Sequence, residues 1–247
     1  MTASLSGYLL ASPNDAAIPR AALETASRSP SRKPFLRYEG QYQNLKLWEH
    51  YTFFSDRSFS DDNTTNQHPP FKYPVYCARS GTKLIILSER RRLTDYIIET
   101  TLNSSIFPNL RHVNFHLEKI IAAFQDSASQ YRLTSLHGRY SGPRRSLRTI
   151  ALYGPEVTDS ALFKDQHHLF DFYLCGIAER QAEDPFLLND DGEVARMGNN
   201  GSITIQSFTK KRATELTRIV SRLIKNKWVD DWVLPWEELT HDTDEGS

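Results

Sequence analysis

The chain is poor in sulfur and has no excess of either charge. Two cysteines in 247 residues, Cys77 and Cys175, stand too far apart for a disulfide framework or a zinc knuckle. Thirty basic residues balance thirty acidic ones, so no global field draws the protein to nucleic acid, to a membrane or to an acidic ligand. Long apolar runs are missing as well. The longest, Ile120–Phe124, has five residues, against the ~18 that a membrane-crossing helix needs. The first thirteen residues carry no basic cluster ahead of an apolar stretch, which does not read as a secretory leader. Familiar catalytic signatures are absent too. No Gly-Lys pair exists for a phosphate-binding loop, and no dinucleotide-type glycine fingerprint appears. In Gly138-Arg139-Tyr140-Ser141-Gly142 the serine falls one place too late for a nucleophile elbow. No acid is followed two residues later by lysine, as the commonest restriction-type nuclease motif requires. These absences lead to the expectation of an intracellular, soluble protein with no membrane contact and no cofactor.

What is present is a mixed pattern. Thirteen Phe and eleven Tyr supply a core, and a chain of this length buries roughly 70–75% of its unfolded surface. Residues 1–34 are rich in Ala, Ser and Pro and read as a flexible N-terminal arm. Dense aromatics from Phe35 to Phe54 mark entry into one domain spanning 35–228, with a change of pattern near 130 suggesting a sub-division. Tyr73 to Leu87 reads as two strands about Ser80-Gly81. Leu93, Tyr96, Ile97 and Thr100 share a helical stripe behind Ser88, and His112 to Ser127 predicts a second helix. After 130 the period changes to two. Strands are predicted at 131–140, 146–153, 169–177 (the most apolar, expected to be central), 193–197 and 202–208. Asn199-Asn200-Gly201 supplies a hairpin turn. Thr209 to Lys227 is an amphipathic basic helix, and 229–247 an acidic, aromatic tail. The fold class is therefore α+β: a mostly antiparallel sheet flanked by helices, ending in that helix and tail.

Neutrality overall conceals segregated charge. Residues 127–155 hold no acid but five arginines: Arg132, Arg139, Arg144, Arg145 and Arg148. Residues 209–227 hold seven basic residues against Glu215, with Lys211, Arg218, Arg222 and Lys225 along one helical stripe. Arginine suits phosphate because its planar fork donates two hydrogen bonds at once. The leading expectation is a non-enzymatic nucleic-acid-binding subunit of a larger complex. An Arg-rich hairpin and the basic helix would together grip DNA or RNA, with Tyr131, His137 and Tyr140 available to stack on bases. A solvated or internally paired basic face is the bland alternative. From a different class, Trp228, Trp232 and Trp236, spaced four apart among acids, suggest an adaptor whose tail is docked by a protein partner.

Two chemical readings complete the set. His112 and His116, one helical turn apart, could join Asp165, His167, His168 or Asp171 in a metal-dependent hydrolase or nuclease. Cys77 or Cys175 could pair with a histidine as a nucleophile, although both fall in strands expected to be buried. Neither amounts to a defined active site.

Overall fold

The computed structural model describes residues 4–12, 35–38, 47–55, 71–80, 82–88, 91, 94–95, 98, 110–126, 129–141, 149–154, 157–180, 193–206 and 208–230. The strands are β1 (Leu5–Ala11), β2 (Phe35–Tyr38), β3 (Trp48–Ser55), β4 (Phe71–Ala78), β5 (Lys83–Ser88), β6 (Arg111–His112), β7 (Asn114–Phe115), β8 (Tyr131–Tyr140), β9 (Thr149–Tyr153), β10 (Phe170–Glu179), β11 (Glu193–Gly198), β12 (Ser202–Ile205) and β13 (Val229–Asp230). The helices among the described residues include α1 (Leu117–Gln125), α2 (Ala161–Gln166) and α3 (Lys210–Lys225). One antiparallel sheet runs β2-β3-β4-β5-β1-β12-β11-β10-β8-β9, with β6 also on β1. The α+β expectation holds, and the sheet runs without a break through the segments on either side of residue 130.

Strand β1 corrects the reading of residues 1–34 as an arm throughout. Leu5–Ala11 pairs with β5 on one side and β12 on the other, in the interior of the sheet. Its residues show no clean alternation, because both faces are covered: Leu9 and Leu10 are equally buried. Gly7 is required there, since a Cβ would lie 1.8 Å from the Ile86 carbonyl oxygen. Residues 13–34 lie outside the described residues.

The final helix follows its sequence closely. Thr209 caps it by accepting from the Arg212 amide, and Arg222 and Lys225 stand in the last turn, where the helix dipole favours cations. Ala213, Leu216, Ile219, Val220 and Leu223 pack into the same core as Leu133, Leu136, Ile177 and Met197 of the sheet. Trp48 of β3 donates its indole N–H to the Ser221 hydroxyl at 2.7 Å, so the far end of the sheet also reaches α3.

The helix predicted from His112 to Ser127 is shorter. It begins at Leu117, and the residues before it form β6 and β7, with Val113, Phe115 and Leu117 buried alternately. The apolar spacing over 113–124 satisfied both periods, and pairing to β1 and β13 selected the extended one at its start. His112 and His116 therefore do not share a helix face. Strand β10 lies third from the β9 end and is interior without being central. Leu93, Tyr96, Ile97 and Thr100 lie outside the described residues, although Arg91, Thr94 and Asp95 beside them are helical.

Candidate nucleic-acid interface

Which way each arginine points is decided by irregularities in the sheet. Along β8, Tyr131 and Leu133 face the core, and so does Leu136. The partners of β8 jump from Ser135↔Gly176 to Leu133↔Ile177, leaving Thr134 as an extra residue. That bulge reverses the alternation. Arg132, Thr134, His137 and Arg139 consequently share the face opposite the helices. A second bulge, between Phe172 and Leu174 of β10, leaves Tyr173 unpaired and turned to that same face.

At the β9 end of this second face four side chains meet. His137 stands edge-on to Tyr153, with ring centroids 5.3 Å apart at 86°. On its other side Tyr173 lies 6.3 Å away at 61°. The Arg139 guanidinium carbon sits 5.9 Å from the Tyr173 centroid. Tyr153 is 64% exposed, Arg139 is exposed, and His137 and Tyr173 are half-buried. Thr149 and Ala151 of β9 share the face with Tyr153 and are exposed, while Ile150 and Leu152 alternate to the core side. Asp171 lies across the register from Arg139 without an ion pair to it among the described residues. The His137 imidazole is held below its ordinary pKa, first by burial and then by Arg196, against an opposing pull from Glu193. The ring is therefore neutral at physiological pH.

Further along the same face the polar groups are enclosed. Arg196 donates to Glu193 at 2.7 Å, and the Thr134 hydroxyl donates to the same carboxylate at 3.1 Å. A Cβ at Gly176 would meet Ser135 Oγ at 2.3 Å and Glu193 Oε2 at 2.5 Å, so any larger residue must displace those side chains.

The residues expected to grip phosphate separate into groups. Arg139 stands in the patch just described. Arg132 is on the same face seven residues back along β8, roughly 23 Å away, half-buried and with its Nε unpartnered. Arg144, Arg145 and Arg148 belong to the β8–β9 connection and lie outside the described residues. Lys211, Arg218, Arg222 and Lys225 are on α3, across the sheet from Arg139. Arg218 pairs with buried Glu215, and Arg222 lies over Phe124, with its guanidinium carbon 5.8 Å from the ring centroid. Arg139 and the basic helix thus stand on opposite faces of the sheet. Of the rings expected to stack, Tyr131 is buried with its hydroxyl 3.4 Å from Glu215. Burial, followed by the Glu215 charge, raises its pKa to about 12. Tyr140 packs against Phe170, centroids 5.4 Å apart. Tyr153 and Tyr173, which no sequence signal singled out, are the rings that stand beside His137.

The remaining candidates are structural in their surroundings. Trp228 is half-buried edge-on to Phe124, 6.4 Å between centroids, and donates its backbone N–H to Leu223. Trp232 and Trp236 lie outside the described residues. His116 pairs with Asp230 at 2.8 Å, holding β13 beside β7. His112 packs edge-on to Tyr8 at 4.4 Å, and burial together with Arg91 lowers its pKa to about 4. Among the described residues no cluster of three or more His, Cys, Asp or Glu could hold a metal ion. Cys77 and Cys175 are buried and not joined in a disulfide, and burial pushes Cys175 up to about 12, which leaves it protonated at neutral pH. No described helix is long and apolar enough to cross a membrane.

No family model and no curated protein matches the chain.

Proposed function

We propose that this protein is a non-enzymatic nucleic-acid-binding subunit whose contact surface is the β8–β9 hairpin rather than the hairpin and last helix together. The observation that carries the reading is the position of Arg139. It is exposed, free of any ion pair among the described residues, and leads into a connection bearing Arg144, Arg145 and Arg148. No acid interrupts the stretch from 127 to 155, so the hairpin's own cations are uncompensated along the chain. Arginine forks of this kind fit phosphate oxygens, and phosphate contacts position a strand without reading its sequence.

The test is a titration of fluorescent DNA and RNA by anisotropy at two salt concentrations. A hairpin neutralising about four phosphates loses about a hundredfold in affinity when salt rises fourfold. Replacing Arg139, Arg144, Arg145 and Arg148 by alanine should abolish the salt-sensitive binding. Replacing Lys211 and Lys225 removes charge from the other side of the sheet and should leave it nearly intact. Salt-insensitive binding, or equal losses in both variants, would count against the hairpin.

A further inference from the structure

We infer that Tyr153, His137 and Tyr173, flanked by Arg139, form a stacking platform for unpaired bases, so that the nucleic acid recognised is single-stranded. This rests on the hairpin reading above and narrows it to one ligand class.

The rings come from three neighbouring strands, β9, β8 and β10, and stand in a row across them. The outer two are separated by two inter-strand spacings, about 10 Å. Each touches His137, which fills the gap between them. Such a row offers aromatic surface to solvent in a protein that buries Tyr8, Tyr51, Tyr76 and Tyr131 on β1, β3, β4 and the start of β8. Tyr153 is exposed although β9 pairs in full register with β8 and its alternate residues, Ile150 and Leu152, already face the core. Among the described residues its ring contact is with His137.

Tyr173 reaches the platform only because the β10 bulge gives it a place outside the ladder. Bulges re-aim side chains next to sites of contact. Arg139 lies against the Tyr173 ring with its charge still open to solvent, placing a cation beside the row as a backbone phosphate would require. A duplex keeps its base faces stacked on one another and cannot present them to exposed rings on a sheet. A single strand can, and base–aromatic stacking is tolerant of sequence because every base has a π-face. The neutral imidazole of His137 stacks without adding a fixed charge.

Three labelled probes separate the possibilities: a 12-nucleotide thymidine strand, an abasic strand with the same number of phosphates, and a 12-base-pair duplex. The full chain should bind the thymidine strand roughly tenfold or more tighter than the abasic one. Tyr153→Leu should erase that advantage, and Tyr153→Phe should retain it. Because Tyr153 is exposed, both variants keep the fold, which circular dichroism would verify. Equal binding of all three probes, unchanged in Tyr153→Leu yet lost in the four-arginine variant, would overturn the platform and leave the phosphate grip standing. Binding of none of them by the unmodified protein would overturn both.

Discussion

Two stretches of this chain are rich in basic residues, and the fold treats them differently. In α3 the arginines are engaged internally: Arg212 donates to the Gln206 carbonyl, Arg218 pairs with buried Glu215, and Arg222 lies on Phe124. The helix keeps free charge mainly at exposed Lys211 and Lys225. On the hairpin Arg139 has no carboxylate partner among the described residues, and its guanidinium lies against the Tyr173 ring. A count of cations along a sequence therefore overstates the charge a surface offers. What matters is how many guanidinium groups the fold has already engaged in holding its own acids and rings.

The sharpest demonstration that the fold excludes some charge comes from His112. Its pKa is about 4 when folded against 6.5 when free. The unfolded chain binds the extra proton first, so stability is fully present above pH 6.5 and is lost as pH falls from there through 4. The loss attributable to this group is about 3 kcal/mol. Urea denaturation across that window should show it, and His112→Leu should flatten that part of the profile. A slope unchanged in the variant would assign the acid sensitivity elsewhere.

Next in size is the comparison itself. Alanine at the four hairpin arginines should cost at least a hundredfold in affinity at low salt, while alanine at Lys211 and Lys225 should cost less than about threefold. The reverse ranking would move the interface to the helix.

A third change sharpens the line between exposed and enclosed parts of the second face. Gly176→Ala must displace Glu193 and Ser135 and should destabilise the protein by about 2 kcal/mol. Strand binding should survive at temperatures where the fold is intact. Loss of binding without loss of stability would extend the interface into the Glu193–Arg196 cluster.

The smallest effect is expected from Glu215→Gln, which releases Arg218 from its carboxylate. It should cost about 1 kcal/mol by chemical denaturation and leave affinity for the thymidine strand unchanged. A gain in affinity would show α3 taking part after all.

Much of the architecture was legible because its signals are local. The hairpin of β4 and β5, the turn at Asn200-Gly201 and the amphipathic α3 each combine a clear period with turn or cap residues. Strand β1 was not legible: Leu5–Ala11 is covered on both faces and carries no alternation. The site was half visible. Arg139 and His137 lie in the stretch where acids are missing, so composition pointed to them. Tyr153 and Tyr173 could not be assigned, because what brings them to His137 is the register of β9 and a bulge in β10. The same kind of event misdirected Tyr131. It has the parity of His137 and Arg139 along β8, and the extra residue at Thr134 turns it to the core instead.

Strand β1 also constrains how the protein is made. Its edge partners are β5, soon after it in the chain, and β12, which ends at Ile205. During synthesis one edge can be satisfied early. At 5–20 residues per second, the other waits on the order of ten seconds for its mate to emerge. Through that interval an apolar strand offers an open ladder of backbone groups to any neighbouring nascent chain. Pairs so distant in sequence also close slowly. Production yield, and its dependence on translation speed and temperature, should therefore respond to substitutions in Leu5–Ala11 more sharply than to those in the hairpin.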